Sequence, residues 1–202
     1  MKCFKPLSAS IARLLCIAGT VTSLASAAAA ATQEISGVKV EDSAEVRGSK
    51  LQLNGAGTRF KGPFKVYVAG LYLGKKAATL DEVVGQPGPK RIHVTMVRDI
   101  DAAELGKLLT RGVEDNVPKS ELSNLVPGLI RMGQVFSDQK KLATGDSFQF
   151  DWVPGSGSVL TVRGKVVGDP FKEPEFFKAV MAIWMGPVPA DFKLKDALLG
   201  GK

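Results

Sequence analysis

The spacing of apolar residues along this chain changes period three times, and that alternation in blocks constrains the architecture more than any other feature. Val38 and Val40, then Leu51 and Leu53, alternate with polar neighbours, which predicts strands with one wet face. Phe64 to Leu73 (FKVYVAGLYL) is the strongest strand signal, and Arg91 to Val97 (RIHVTMV) places Ile92, Val94 and Met96 on one side. Gly85 to Pro89 (GQPGP) predicts a turn or loop between them. The period then becomes helical. Asp101 and Glu104 suit a capping box, and Leu105, Leu108, Leu109 and Val113 mark one apolar face. Pro118 is expected to stop that helix. A second, over 119–135, carries Leu122, Leu125, Leu129, Ile130 and Met132, with Pro127 expected to kink or split it. Strands are predicted again at Ser147–Val153 and Val159–Val167, joined by the loop Pro154 to Ser158. A helix from Pro174 holds Phe176, Phe177, Val180, Met181, Ile183 and Trp184; Pro187 and Pro189 break it, and a last one around Leu194 and Leu198 ends at Gly200. Strands and helices in blocks predict an α+β domain, an antiparallel sheet with helices on one face.

The first residues follow a different logic. Lys2, Lys5 and Arg13 form a basic start without an acid, Leu14 to Ala25 is a 12-residue apolar stretch, and Ala25-Ser26-Ala27 opens a run of small residues ending at Ala31. That layout predicts a cleaved secretory signal peptide over 1–31, and the stretch is short for a membrane span. The remaining domain, 32–202, is then expected to be exported, periplasmic or secreted, and not an integral membrane protein. A lipid anchor at Cys16 is not expected, because Arg13, Leu14 and Leu15 precede it and lipidation wants a small residue there. Losing the leader lowers the formal charge from +7 to +4 and removes both cysteines, Cys3 and Cys16. No disulfide or Cys-based metal site is expected in what is left. A domain of this size buries roughly 70% of its unfolded surface without a staple. The basic residues are scattered, so the charge does not argue for nucleic acid. A hydrophobic share of 45% excludes a disordered chain.

Metal and nucleophile chemistry find little support. His93 is the only histidine, so zinc lacks a ligand pair and any triad must use a residue whose strand position reads as surface. No Gly-x-Ser-x-Gly elbow is present. Asn54 to Thr58 (NGAGT) lacks the spacing and following helix of a nucleotide loop and reads as a β-turn. Arg59 and Tyr67 remain. A guanidinium offers a planar fork that matches a carboxylate, and a phenol adds a donor. At the mouth of an apolar pocket the pair could hold an acid head group. Spacing alone favours a surface arginine and a core tyrosine.

Leu53 to Arg59 (LNGAGTR) running into Phe64 to Leu73 resembles the opening motif of the chalcone isomerase-like family. Ile183-Trp184-Met185-Gly186, followed by Asp191 to Gly200 (DFKLKDALLG), resembles its C-terminal signature, so the resemblance spans about Val38 to Gly200. It implies an open-faced β-sandwich, in which a long antiparallel sheet carries a layer of helices on one face with a ligand cleft between. The family holds isomerases that close a flavanone ring and non-catalytic relatives that bind fatty acids. Arg59 matches the arginine that both branches use to hold an anionic oxygen. Tyr67 matches the tyrosine of the fatty-acid-binding branch, where isomerases place a threonine. Leu105, Leu108 and Gly112 stand where isomerases need tyrosine, lysine and asparagine, and Ile183 replaces a late threonine. The only tyrosines are Tyr67 and Tyr72, so the helical phenol has no substitute. The resemblance thus implies an exported binding protein holding a fatty acid or similar amphipathic carboxylate at Arg59 and Tyr67. It implies no catalytic residue, cofactor, metal or nucleic-acid partner. Two alternatives stand beside it: a residual intramolecular lyase of the chalcone isomerase type, and a cell-envelope interaction module without a small-molecule ligand.

Overall fold

The computed structural model describes residues 32–201 and, before them, Met1 alone. The predicted signal peptide and both cysteines therefore lie outside the described residues. The chain runs through β1 (Thr32–Ile35), β2 (Val38–Glu41), β3 (Ser43–Val46), β4 (Ser49–Lys61), β5 (Phe64–Leu73), α1 (Leu80–Gly85), β6 (Lys90–Met96), β7 (Ile100–Asp101), α2 (Ala102–Glu114), α3 (Lys119–Asp138), β8 (Lys141–Leu142), β9 (Ser147–Val153), β10 (Gly157–Val162), β11 (Lys165–Val166), α4 (Pro174–Met185) and α5 (Phe192–Leu198). Seven strands form one antiparallel sheet in the order β11-β10-β9-β6-β5-β4-β3, while β1-β2 and β7-β8 form small ribbons.

Alternation along each strand decides which side chains meet the helices. Tyr67, Ala69, Leu71 and Leu73 of β5, Ile92, Val94 and Met96 of β6, and Phe148 and Phe150 of β9 share one core with helical residues such as Leu105, Leu109, Phe136 and Trp184. On the opposite face, Tyr72 gathers Val46 and Leu51 from one side of the sheet and Val153 and Val159 from the other. A flat sheet could not bring those residues together, so the sheet curls into a half-barrel with helices packed on one face. This is the expected α+β architecture. Among the described residues no helix is long and apolar enough to cross a membrane.

Several boundaries differ from expectation for identifiable reasons. The Asn54–Thr58 stretch is not a turn but lies inside β4. Its glycines admit α5: a Cβ on Gly57 would stand 2.8 Å from Ala197 Cβ, and one on Gly55 would strike the carbonyl of Ala197. Helix α3 continues through Pro127, which is exposed, and Pro118 sits at its N-cap. The predicted strand over Val159–Val167 is broken by Arg163 and Gly164, whose φ values of 48° and 74° turn the chain between β10 and β11. Helix α1 was not expected; Thr79 nucleates it by accepting from the Glu82 amide at 3.2 Å. Asp101 caps α2 as predicted, accepting from the Glu104 amide at 2.8 Å.

Candidate functional site

Arg59 near the end of β4 and Tyr67 of β5 are direct register partners, so the antiparallel pairing itself sets them side by side on the helix-facing surface. A register shift follows Arg59, and the pairing resumes at Phe60 with Lys65. The guanidinium carbon lies 5.6 Å from the Tyr67 ring centroid. Tyr67 is 2% exposed, and its hydroxyl accepts a 2.8 Å hydrogen bond from the Trp184 indole of α4. Burial pushes the phenol up to about 12, against the opposing pull of Arg59 and the Trp184 bond, with Asp191 adding to the rise. Tyr67 therefore keeps its proton near neutral pH and can donate it while accepting from Trp184.

Arg59 has no such partner. Its Nε is buried and makes no hydrogen bond, and it joins no ion pair among the described residues. The neighbouring carboxylate, Asp191, is engaged elsewhere. One oxygen accepts from the Phe60 amide at 2.9 Å; the other caps α5 through the amides of Lys193 at 2.8 Å and Leu194 at 3.2 Å. The fork of Arg59 is thus not filled by an internal acid.

Tyr67 shares one apolar core with Leu105, Ile183 and Trp184. Leu105 and Ile183 are each 2% exposed, and Trp184 is fully buried. Leu108, half-buried on the same helix as Leu105, adds no polar group. Gly112 leaves room for Ile183, since a Cβ there would approach Ile183 Cγ2 to 3.0 Å. A cleft of about 870 Å³ opens between α1, the α2–α3 turn, α4 and α5, lined by residues that include Val117, Leu125, Ala182 and Met185 but neither Arg59 nor Tyr67.

His93 is half-buried rather than on the surface, on the sheet face opposite the helices, between Gly70 and Gln149 in register. Its neighbours Arg91 and Asp151 form a two-pronged ion pair, both bonds at 2.6 Å. No serine joins it in a relay, and no group of three or more potential metal ligands occurs among the described residues. The residues not assigned from sequence are Trp184, Asp191 and Asn54. Asn54 is buried; its amide donates to the carbonyls of Ala77 at 2.9 Å and Leu198 at 2.7 Å, and its oxygen accepts from the Ala77 amide at 2.8 Å, clamping β4 to α5. Both Trp184 and Asp191 stand in the C-terminal motif, and an aspartate ahead of a helical period is itself a cap signal.

A sequence profile described as chalcone isomerase-like matches residues 31–200. Comparison with curated proteins finds no match. Among solved structures, a fatty-acid binding protein of Arabidopsis thaliana superposes with a TM-score of 0.63 and 18% identity, over 84% of this chain and 95% of its own. At that identity the likeness speaks for the fold, and the half-barrel with its one-sided helical layer is the shared element. With the profile spanning almost every described residue, the chain belongs to the chalcone isomerase-like family.

Proposed function

We propose that this protein is an exported, non-catalytic binding protein that takes a fatty acid or a similar amphipathic carboxylate, with the head group held by Arg59 and Tyr67. The observation that carries the reading is the unfilled guanidinium, whose buried Nε lacks any acceptor beside a phenol with a proton to give. A buried donor without a partner costs about 1–3 kcal/mol, and a carboxylate oxygen would remove that cost. The fatty-acid binding neighbour supports the ligand class, and the layout of residues 1–31 supports export.

The surrounding chemistry favours binding over turnover. Closing a flavanone ring needs groups that stabilise a developing enolate and hold the reacting atoms in line. Leu105, Gly112 and Ile183 offer no polar atom for that task, and a phenol held near 12 is a poor base at neutral pH. An acyl chain is expected to enter with a shift of α4 or α5 on the sheet. Trp184, on α4 and bonded to Tyr67, is placed to report that shift.

The test is a fluorescence titration with palmitate in a Trp152→Phe background, which leaves Trp184 as the sole tryptophan. A saturable change in emission is expected, with affinity about ten- to a hundredfold weaker after Arg59→Ala. Superimposable curves with and without Arg59 would contradict the proposal.

A further inference from the structure

Lys90 breaks the pattern of its strand. It takes the inward register of β6 with Ile92, Val94 and Met96, a place where lysine is almost never fully buried unless paired. A lysine at a strand end ordinarily lays its methylenes on apolar surface and keeps its ammonium in water. Here the residue is only 2% exposed. Its Nζ donates to the carbonyl of Gly88 at 3.1 Å, and it joins no ion pair among the described residues. Burial accordingly pushes the ammonium below its ordinary pKa.

The ammonium is not sealed in the core. Lys90 and its acceptor Gly88 line a cleft of about 590 Å³, bounded by the turn after α1, the β9–β10 hairpin and the start of α4. Aromatic rings form one wall: Trp152 and Phe177 stand 5.5 Å apart at 41°. Pro174 adds a rigid apolar edge, while Glu175 and Lys178, both exposed, stand at the rim. The cleft falls in the size range of small-molecule sites and has their character, an apolar lining with Lys90 as its buried charge and Glu175 and Lys178 exposed at the rim.

We infer that this cleft is a second binding site, and that it takes a small aromatic carboxylate. The ring lies against Trp152 and Phe177, and the carboxylate meets the Lys90 ammonium. An ammonium has three donors, and Gly88 accepts from one of them. Two donors are left for an anion, and an anion also removes the cost of a buried charge without a counter-ion. A planar ring suits the walls because tilted aromatic contacts favour it over a flexible chain. Neither Arg59 nor Tyr67 lines this cleft, so the site is independent of the fatty-acid reading.

The probe is 2-naphthoate, followed by calorimetry, with the uncharged 2-naphthamide as its partner. Wild type is expected to bind the acid saturably and the amide at least about tenfold more weakly. Lys90→Met should weaken the acid by a similar factor, about tenfold, while keeping or raising the melting temperature, since it removes a buried cation. Saturating palmitate should leave the naphthoate isotherm in place, whereas competition would assign naphthoate to the Arg59 site and overturn the inference. Equal affinity for acid and amide in wild type overturns it without recourse to any variant. An isotherm unmoved by Lys90→Met, or no heat at all, does the same.

Discussion

Three side chains from three elements meet at one point: Arg59 of β4, Tyr67 of β5 and Trp184 of α4. The first two owe their proximity to strand register, the third to helix packing, and each limits the others. Trp184 fixes the Tyr67 hydroxyl as an acceptor and leaves its proton to donate. Among the described residues Arg59 has no acceptor for its buried Nε. On the opposite sheet face His93 offers a different test. Burial, and after it the Arg91 guanidinium, hold the imidazole below its ordinary 6.5, with Asp151 opposing. The unfolded chain therefore gains a proton as pH falls through about 6.5 while the folded chain does not. Stability is full above that value and declines below it, until the folded imidazole protonates in turn. Urea unfolding at about pH 7.5 and about pH 5.5 should show a lower midpoint in acid for wild type, and a smaller difference for His93→Gln. An equal difference in both proteins would remove His93 from the explanation.

At the scale of elements, the junction between β4 and α5 matters most. Gly55 and Gly57 clear a path for α5, and Asn54 ties the strand to its last turn. Gly55→Ala pushes a methyl into the backbone of Ala197 and is expected to cost about 1–3 kcal/mol in chemical denaturation. Gly74→Ala, which meets nothing within 4 Å, should stay within about 0.5 kcal/mol of wild type. A silent Gly55→Ala would mean that α5 does not pack against Gly55. The same junction shows what the sequence could and could not convey. Strands β5 and β9 were legible to the residue because both are short runs rich in aromatic and β-branched residues, β9 with one buried face and β5 buried on both over Val66–Leu73. NGAGT looked like a turn because glycines signal turns when read locally. Here they make way for α5, whose Leu198 bonds Asn54 across 144 residues, which no window reveals. Helix α1 escaped notice because its six residues bury one side chain, Val83, too little to set a period. The Arg59–Tyr67 pair was legible through its motif. The filling of Tyr67 by Trp184 was not, because that bond depends on how α4 lies across the sheet.

For the whole molecule, one curled sheet carries both proposed sites on its helix side. Chalcone cyclisation is expected to stay at the uncatalysed rate, since Leu105, Gly112 and Ile183 replace the polar groups such chemistry needs. A rate enhancement of about a thousandfold or more that Arg59→Ala abolishes would show an intact active site. Processing belongs to this scale too. Cleavage between Ala27 and Gln33 is expected to release a cysteine-free domain beginning close to β1, and N-terminal sequencing of the exported protein reads it directly; an intact Met1 on a membrane-bound product would contradict export.

The central claim is that Arg59 and Tyr67 grip a carboxylate while apolar walls take its chain. Calorimetric titration of a series of fatty acids into wild type, Arg59→Ala and Tyr67→Phe tests it most directly. Affinity should rise by about 0.8 kcal/mol for each added methylene until the space is full. Arg59→Ala should lose about 1.5–3 kcal/mol at every chain length and Tyr67→Phe about 1 kcal/mol, with all three proteins folded. Equal affinities across the three proteins, or no heat from any acid, would contradict the claim and leave Arg59 an arginine without a ligand.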